Sequence, residues 1–136
     1  YEVIYGNQNN RILLSGISSN LVNTNPIHEK TKTTQDFINQ NPNLFHVLLL
    51  HEPDYADKVN LENYDLILSG HSHNGYINLP FLQTLFLEEG AKKYYKPFYN
   101  IKNTSLYISG GLGTTTFSYR FCNRPSINFY RIRKAG

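Results

Sequence analysis

The chain has 136 residues and a formal net charge of +3, with 40% hydrophobic and 14% aromatic residues. That length suits a single domain over residues 1–136, and that composition suits a packed core rather than a disordered chain. The basic residues are dispersed apart from Arg131, Arg133 and Lys134 near the end, so the charge reads as a solvated surface and no nucleic-acid partner is expected.

The segments "EVIYG" and "RILLSGI" flank the turn-rich "NQNN" and predict a β-hairpin. Residues 18–32 are polar and rich in Asn and Thr, which predicts a surface loop. A short helix is expected next, with Thr33 and Asp36 as a capping box, Phe37 and Ile38 as apolar contacts and Pro42 as the stop. "FHVLLL" is nearly all apolar, as in a strand covered on both faces. Pro53-Asp54 then opens a second expected helix, with Asp54 as its N-cap and Ala56 and Val59 facing inward. Leu66 to Leu68 reads as another buried strand, "KYYKPFYNI" and "SLYISGGLG" as two more, and "INFYRIR" as an alternating closing strand. The fold class expected is α/β (α+β), with more strand than helix.

Three buried strands end in unusual residues: one at His51, one at Gly70-His71-Ser72-His73, and one at Ser109-Gly110-Gly111-Leu112-Gly113. Ligands collect beyond the carboxyl ends of strands in open α/β sheets, so these ends are expected to share one rim. In a helix the rings of His-x-His would point about 200° apart, but at a strand end they can converge. Gly70 and Gly75 allow the sharp turn this needs. Imidazole suits Zn, Mn, Fe and Ni, and His51, His71 and His73 together point to a metal site. His46, inside the apolar run, reads as a core or sheet-edge residue, and His28 as solvated. "SGGLGTTT" is either a tight turn, the favoured reading, or a phosphate cradle of backbone N–H groups. Gly111, Gly113 and Arg120 are the candidate substrate-binding residues. Arg120 and Arg124 suit either phosphate pairing or surface charge, and Glu52 is a candidate outer acid.

"LLLHEPD", "YDLILSGHSHNG" and "YISGGLGTT" followed by "RFCNRPSINFYRI" resemble the C-terminal half of calcineurin-like metallophosphoesterases, in the bacterial branch of YkuE and YaeI type. Family stretches there read like LLSHNPD, DLVLSGHTHGGQ and YVSRGLGTS. The resemblance runs in order from about Phe45 to Ile132. It implies the strand-rich C-terminal half of a β-sandwich flanked by helices. It also implies metal-dependent hydrolysis of a small or lipid-linked phosphoester at two divalent ions (Mn, Zn or Fe). By position, His51 and His71 would ligate one ion and His73 the other.

The family's remaining ligands lie in motifs of the type D-x-H, G-D-x-x-D and G-N-H-D, and none of these occurs here. The chain also lacks methionine and opens on Tyr1, so a piece of a longer protein is expected. Such a piece would lack the bridging carboxylate, hold at most one ion weakly, and be inactive alone. The alternative is a non-catalytic module that binds one metal or an anion. An exposed sheet face is expected to favour self-association. Localisation stays open between the cytoplasm and membrane attachment through an N-terminal segment.

Overall fold

The computed structural model describes residues 2–7, 10–19, 27–80, 82–115 and 118–133, with the backbone alone for 27–33. Six strands form one mixed sheet in the order β1-β2-β3-β4-β6-β5. They are β1 (Glu2–Gly6), β2 (Arg11–Ile17), β3 (Phe45–Leu50), β4 (Leu66–Ser69), β5 (Phe98–Ile101) and β6 (Thr104–Ile108). The hairpin partners β1 and β2 are antiparallel, as are β5 and β6. Between them β2, β3, β4 and β6 run parallel. The four parallel strands therefore deliver their carboxyl ends to one edge of the sheet, and those of β3, β4 and β6 lie side by side there.

Register explains why this sheet is strongly specified. Ser15, Leu48, Ile67 and Leu106 stand side by side across four strands, and all four are fully buried. Leu50 and Ile108 extend the same face into a core completed by Ala56, Val59, Leu61, Tyr64 and Tyr94. A one-residue slip would turn that whole set outward. The opposite face carries Leu14, Leu49, Leu68 and Tyr107, which are only half-buried.

The helix and the tail depart from expectation. Helix α1 spans Ile27–Gln40, so it begins inside the stretch expected to be a loop, and Thr33 and Asp36 lie in its interior rather than at a cap. Glu29, Lys30 and Lys32 are good helix formers, which the weight given to Asn and Thr obscured. The rest of that stretch, residues 20–26, lies outside the described residues. The helix does stop before Pro42, where Asn41 N–H and Nδ2 bond back to the Ile38 and Phe37 carbonyls at 2.9 Å each. The second expected helix is a 3₁₀ turn, Pro53–Lys58, with Ala56 buried inside and Val59 just beyond.

β5 is also shorter than "KYYKPFYNI" suggested, since it begins at Phe98. "INFYRIR" forms no strand among the described residues. Among the described residues its alternating pattern has no neighbouring strand to complete a ladder, and Phe129 is 93% exposed. β-propensity describes fit to a sheet that is present, and without that neighbour the pattern yields no strand. Among the described residues no helix is long and apolar enough to cross a membrane.

Candidate functional site

His51 follows β3 directly, and His71 and His73 follow β4 after Gly70. Pairing continues past the strands here: Gly70 N–H donates to the His51 carbonyl at 3.2 Å, and Ser109 N–H to the Ser69 carbonyl at 2.9 Å. The loop after β4 then folds tightly. His71, His73, Asn74 and Tyr76 all hold positive φ, between 46° and 64°, a region that non-glycine residues seldom enter. Several such residues in one short loop mark stored strain that the surroundings must hold. The holding contacts are explicit. Asn74 N–H donates to Ser72 Oγ at 3.2 Å, and Gly75 N–H to the Ser72 carbonyl at 2.8 Å. Fully buried Tyr76 anchors the turn. Its ring stacks on His73 at 4.9 Å and its hydroxyl bonds Thr115 Oγ1. Phe121 N–H reaches the Tyr76 carbonyl at 2.9 Å.

These constraints bring the His51 and His71 rings together, with centroids 4.9 Å apart and planes at 61°. The His71 Nε2–H donates to the Glu89 carbonyl at 2.7 Å. This leaves Nδ1 with its lone pair, because a neutral imidazole has one donor and one acceptor. His73 faces the other way. Its Nδ1 accepts from Arg120 Nη2 at 3.1 Å, and Asn123 Nδ2 bonds its carbonyl oxygen. Burial, the Arg120 charge and His71 push the His73 pKa down, outweighing the upward pull of Glu88 and the Gly113 backbone.

The glycine-rich loop after β6 is tied to the same cluster. Arg120 Nη2 donates to the Gly110 carbonyl at 2.7 Å and also to the Gly113 carbonyl, which takes Nε–H at 3.2 Å as well. Arg120 Nη1 is buried with no partner among the described residues. Gly111 has φ +64°, and its N–H goes to Ser109 Oγ at 3.2 Å. In these bonds the loop acts as a turn, and the Gly111 N–H is engaged rather than offered to an anion. Beside it lies an open cavity of about 640 Å³ lined by Thr114, Tyr119, Arg120, Asn123 and Arg124. A second, of about 540 Å³, opens against Gly16, Leu49, Leu68, His51 and Gly70.

The sequence reading placed His51, His71 and His73 on one rim, and the structure puts them on two adjacent strand ends. Only His51 and His71 are ring neighbours, while His73 is turned toward Arg120. His46 is buried in the sheet, as a core histidine should be. The His28 side chain lies outside the described residues. Glu52 is fully buried beside the site and accepts from Ser19 Oγ. Asp54 is not an N-cap: Glu52 occupies that position without a side-chain cap, and the Asp54 carboxylate bonds a distant loop instead. Tyr76 and Asn123 were missed. Tyr76 sits immediately after the His-Asn-Gly turn, where a bulky residue next to a tight loop was a readable hint; Asn123 carried no signal.

The pair His51–His71 fits a shared cation, since both rings belong to a good ligand type and the free His71 nitrogen is set by an outer hydrogen bond. The fit stops there. Among the described residues no three His, Cys, Asp or Glu side chains stand close enough to hold a metal ion.

The mixed sheet and this histidine-bearing strand edge are consistent with a metallophosphoesterase fragment, and sequence similarity to known proteins points to that family. The chain is 38% identical over 90 residues to the metallophosphoesterase YkuE of Bacillus subtilis, covering 66% of this chain and 32% of that protein. It is 32% identical over 100 residues to the metallophosphoesterase YkoQ of the same organism (66% and 34%). It is 27% identical over 90 residues to the phosphodiesterase YaeI of Escherichia coli (66% and 33%). No family model matches the chain, and no solved structure does. Over this stretch the chain is similar to metallophosphoesterases, consistent with part of a calcineurin-like domain. It spans about a third of the length of these three relatives.

Proposed function

We propose that the protein carrying this chain hydrolyses phosphoesters with divalent metal ions, and that residues 1–136 supply the imidazole side of a two-ion centre. The observation that supports this best is the convergence of His51 and His71 from adjacent parallel strand ends, at a ring separation of 4.9 Å. When bound, divalent ions supply Lewis acidity and an activated water at neutral pH.

The chain's own residues have separate tasks in this reading. His51 and His71 offer nitrogens to one ion. His73 serves the other once its Nδ1 gives up the Arg120 Nη2 bond, and burial and the Arg120 charge favour its neutral form. Arg120 holds the Gly110 and Gly113 carbonyls and, lining the cavity beside them, brings positive charge to a phosphoester there. Gly111, at φ +64°, and Gly113 belong to the loop that this guanidinium holds and are proposed to border the substrate. In this reading the stretch alone holds at most one ion, since among the described residues no three His, Cys, Asp or Glu side chains stand together to hold one, and it does not catalyse by itself. The substrate proposed is a small or lipid-linked phosphoester.

The test uses the full-length protein, with metal analysis and hydrolysis of a model phosphodiester and phosphomonoester. Two ions per chain, chelator-sensitive hydrolysis, and loss of both in His71→Ala are expected. Full-length protein that holds two ions and hydrolyses neither ester overturns the enzymatic reading.

A further inference from the structure

The carboxylate of Asp54 lies in the 3₁₀ turn after β3, yet its partners are almost forty residues further along the chain. It accepts the N–H groups of Lys92, Lys93 and Tyr94 at 2.7, 2.9 and 2.8 Å. The Asp54 N–H in turn donates to the Gly90 carbonyl at 2.9 Å. A carboxylate receiving three backbone donors is a strong anchor, since charge-assisted hydrogen bonds are about twice as strong as neutral ones. Two further contacts hold the same segment. Ala91 is fully buried, with its N–H on the Glu88 carbonyl at 3.1 Å. Gly90 has φ +88°, and a Cβ there would lie 2.9 Å from Glu52 Cβ, so the backbone packs directly on the turn that carries Asp54.

The segment pinned in this way includes Glu89, whose carbonyl takes the His71 Nε2–H at 2.7 Å. That single bond decides which His71 nitrogen keeps a lone pair and which way the ring faces.

We propose that Asp54 is a positioning residue for His71: it fixes residues 88–94 so that the Glu89 carbonyl holds the ring with Nδ1 turned free. It acts through the backbone and touches neither ring nor ligand. The consequence for metal binding rests on the reading of His71 as a ligand, whereas the orientation of the ring does not. Outer hydrogen bonds of this kind change metal affinity about 10–100-fold when removed.

The experiment observes imidazole protons by NMR in full-length, ¹⁵N-histidine-labelled protein, freed of metal by chelation, at pH 8 and low temperature, with His71→Gln for assignment. A slowly exchanging His71 Nε2–H proton is expected. The His46 Nδ1–H proton, bonded to the Asn63 carbonyl and remote from Asp54, reports whether the fold is intact. In Asp54→Asn and Asp54→Ala the His71 proton should be lost to exchange while that of His46 persists. In Asp54→Asn the affinity for Mn²⁺ should also fall about tenfold.

A His71 proton unchanged in both variants overturns the proposal. So does its absence in the parent protein, or its loss only together with the His46 proton in both variants, which would make Asp54 a residue of general stability. Metal content unaffected by His71→Ala would instead remove the ligand reading and leave the positioning result standing.

Discussion

The Ser15 hydroxyl donates to His46 Nε2 at 2.7 Å, in a fully buried contact between β2 and β3. The other ring nitrogen, Nδ1–H, donates to the Asn63 carbonyl at 2.6 Å. This arrangement holds His46 neutral, and burial pushes its pKa below the ordinary 6.5, against the upward pull of Asn63, Asp65 and Glu2. The unfolded chain then binds the proton more readily than the folded one. The His46 contribution to stability is complete above pH 6.5 and is lost as pH falls through the folded pKa. Urea unfolding at pH 7.5 and pH 5 should show this loss, and His46→Asn should show a smaller difference between the two values.

Leu106 lies in the fully buried row that crosses the sheet. Truncation there leaves a cavity the neighbouring strands cannot close. Leu106→Ala should cost about 2–5 kcal/mol, read from the shift in urea midpoint at constant slope. A cost below about 1 kcal/mol would mean that the row is not the core of the sheet.

Tyr76 links the histidine loop to the loop after β6 through its hydroxyl and Thr115. Tyr76→Phe keeps the stacked ring and deletes that bond. A cost of about 0.5–1.5 kcal/mol is expected, with faster amide exchange at Thr115, whose N–H donates to the Tyr76 hydroxyl at 3.3 Å. Unchanged exchange at Thr115 would show that the two loops are held by other contacts.

Arg120 presents a planar fork to two backbone carbonyls and to His73. Lysine keeps the charge but offers a single point of attachment. On the proposed phosphoesterase reading, Arg120→Lys in full-length protein should lose at least about tenfold in kcat/KM, and Arg120→Ala should do no worse than a few-fold beyond that. Full activity in Arg120→Lys would show that charge alone is needed at this position.

Strand content and the shared rim were legible because they depend on short-range pattern. The apolar run from Phe45 to Leu50 and the run from Leu66 to Leu68 each have only one comfortable place, inside a parallel sheet. The histidines announced themselves by standing where such runs stop. What escaped were relations between segments far apart in sequence. Asp54 looked like a cap because its near neighbours suited one, but its partners are Lys92, Lys93 and Tyr94. The tail from Ile127 to Arg133 has the alternation of a strand, yet alternation says nothing about whether a ladder partner is present. Arg120 suited either phosphate pairing or surface charge, and only the fold shows its fork directed at carbonyls.

The turn at Asn74-Gly75 also bears on chemical ageing. Asparagine followed by glycine is prone to deamidation when the glycine nitrogen is free to attack the side-chain amide and close a succinimide ring. Here the Gly75 N–H is engaged by the Ser72 carbonyl at 2.8 Å, and the Asn74 side chain lies against Gly110. Native protein stored at mildly alkaline pH should keep Asn74 intact by peptide mapping, while urea-unfolded protein converts it. The contacts that shape the histidine loop thus also protect its covalent structure.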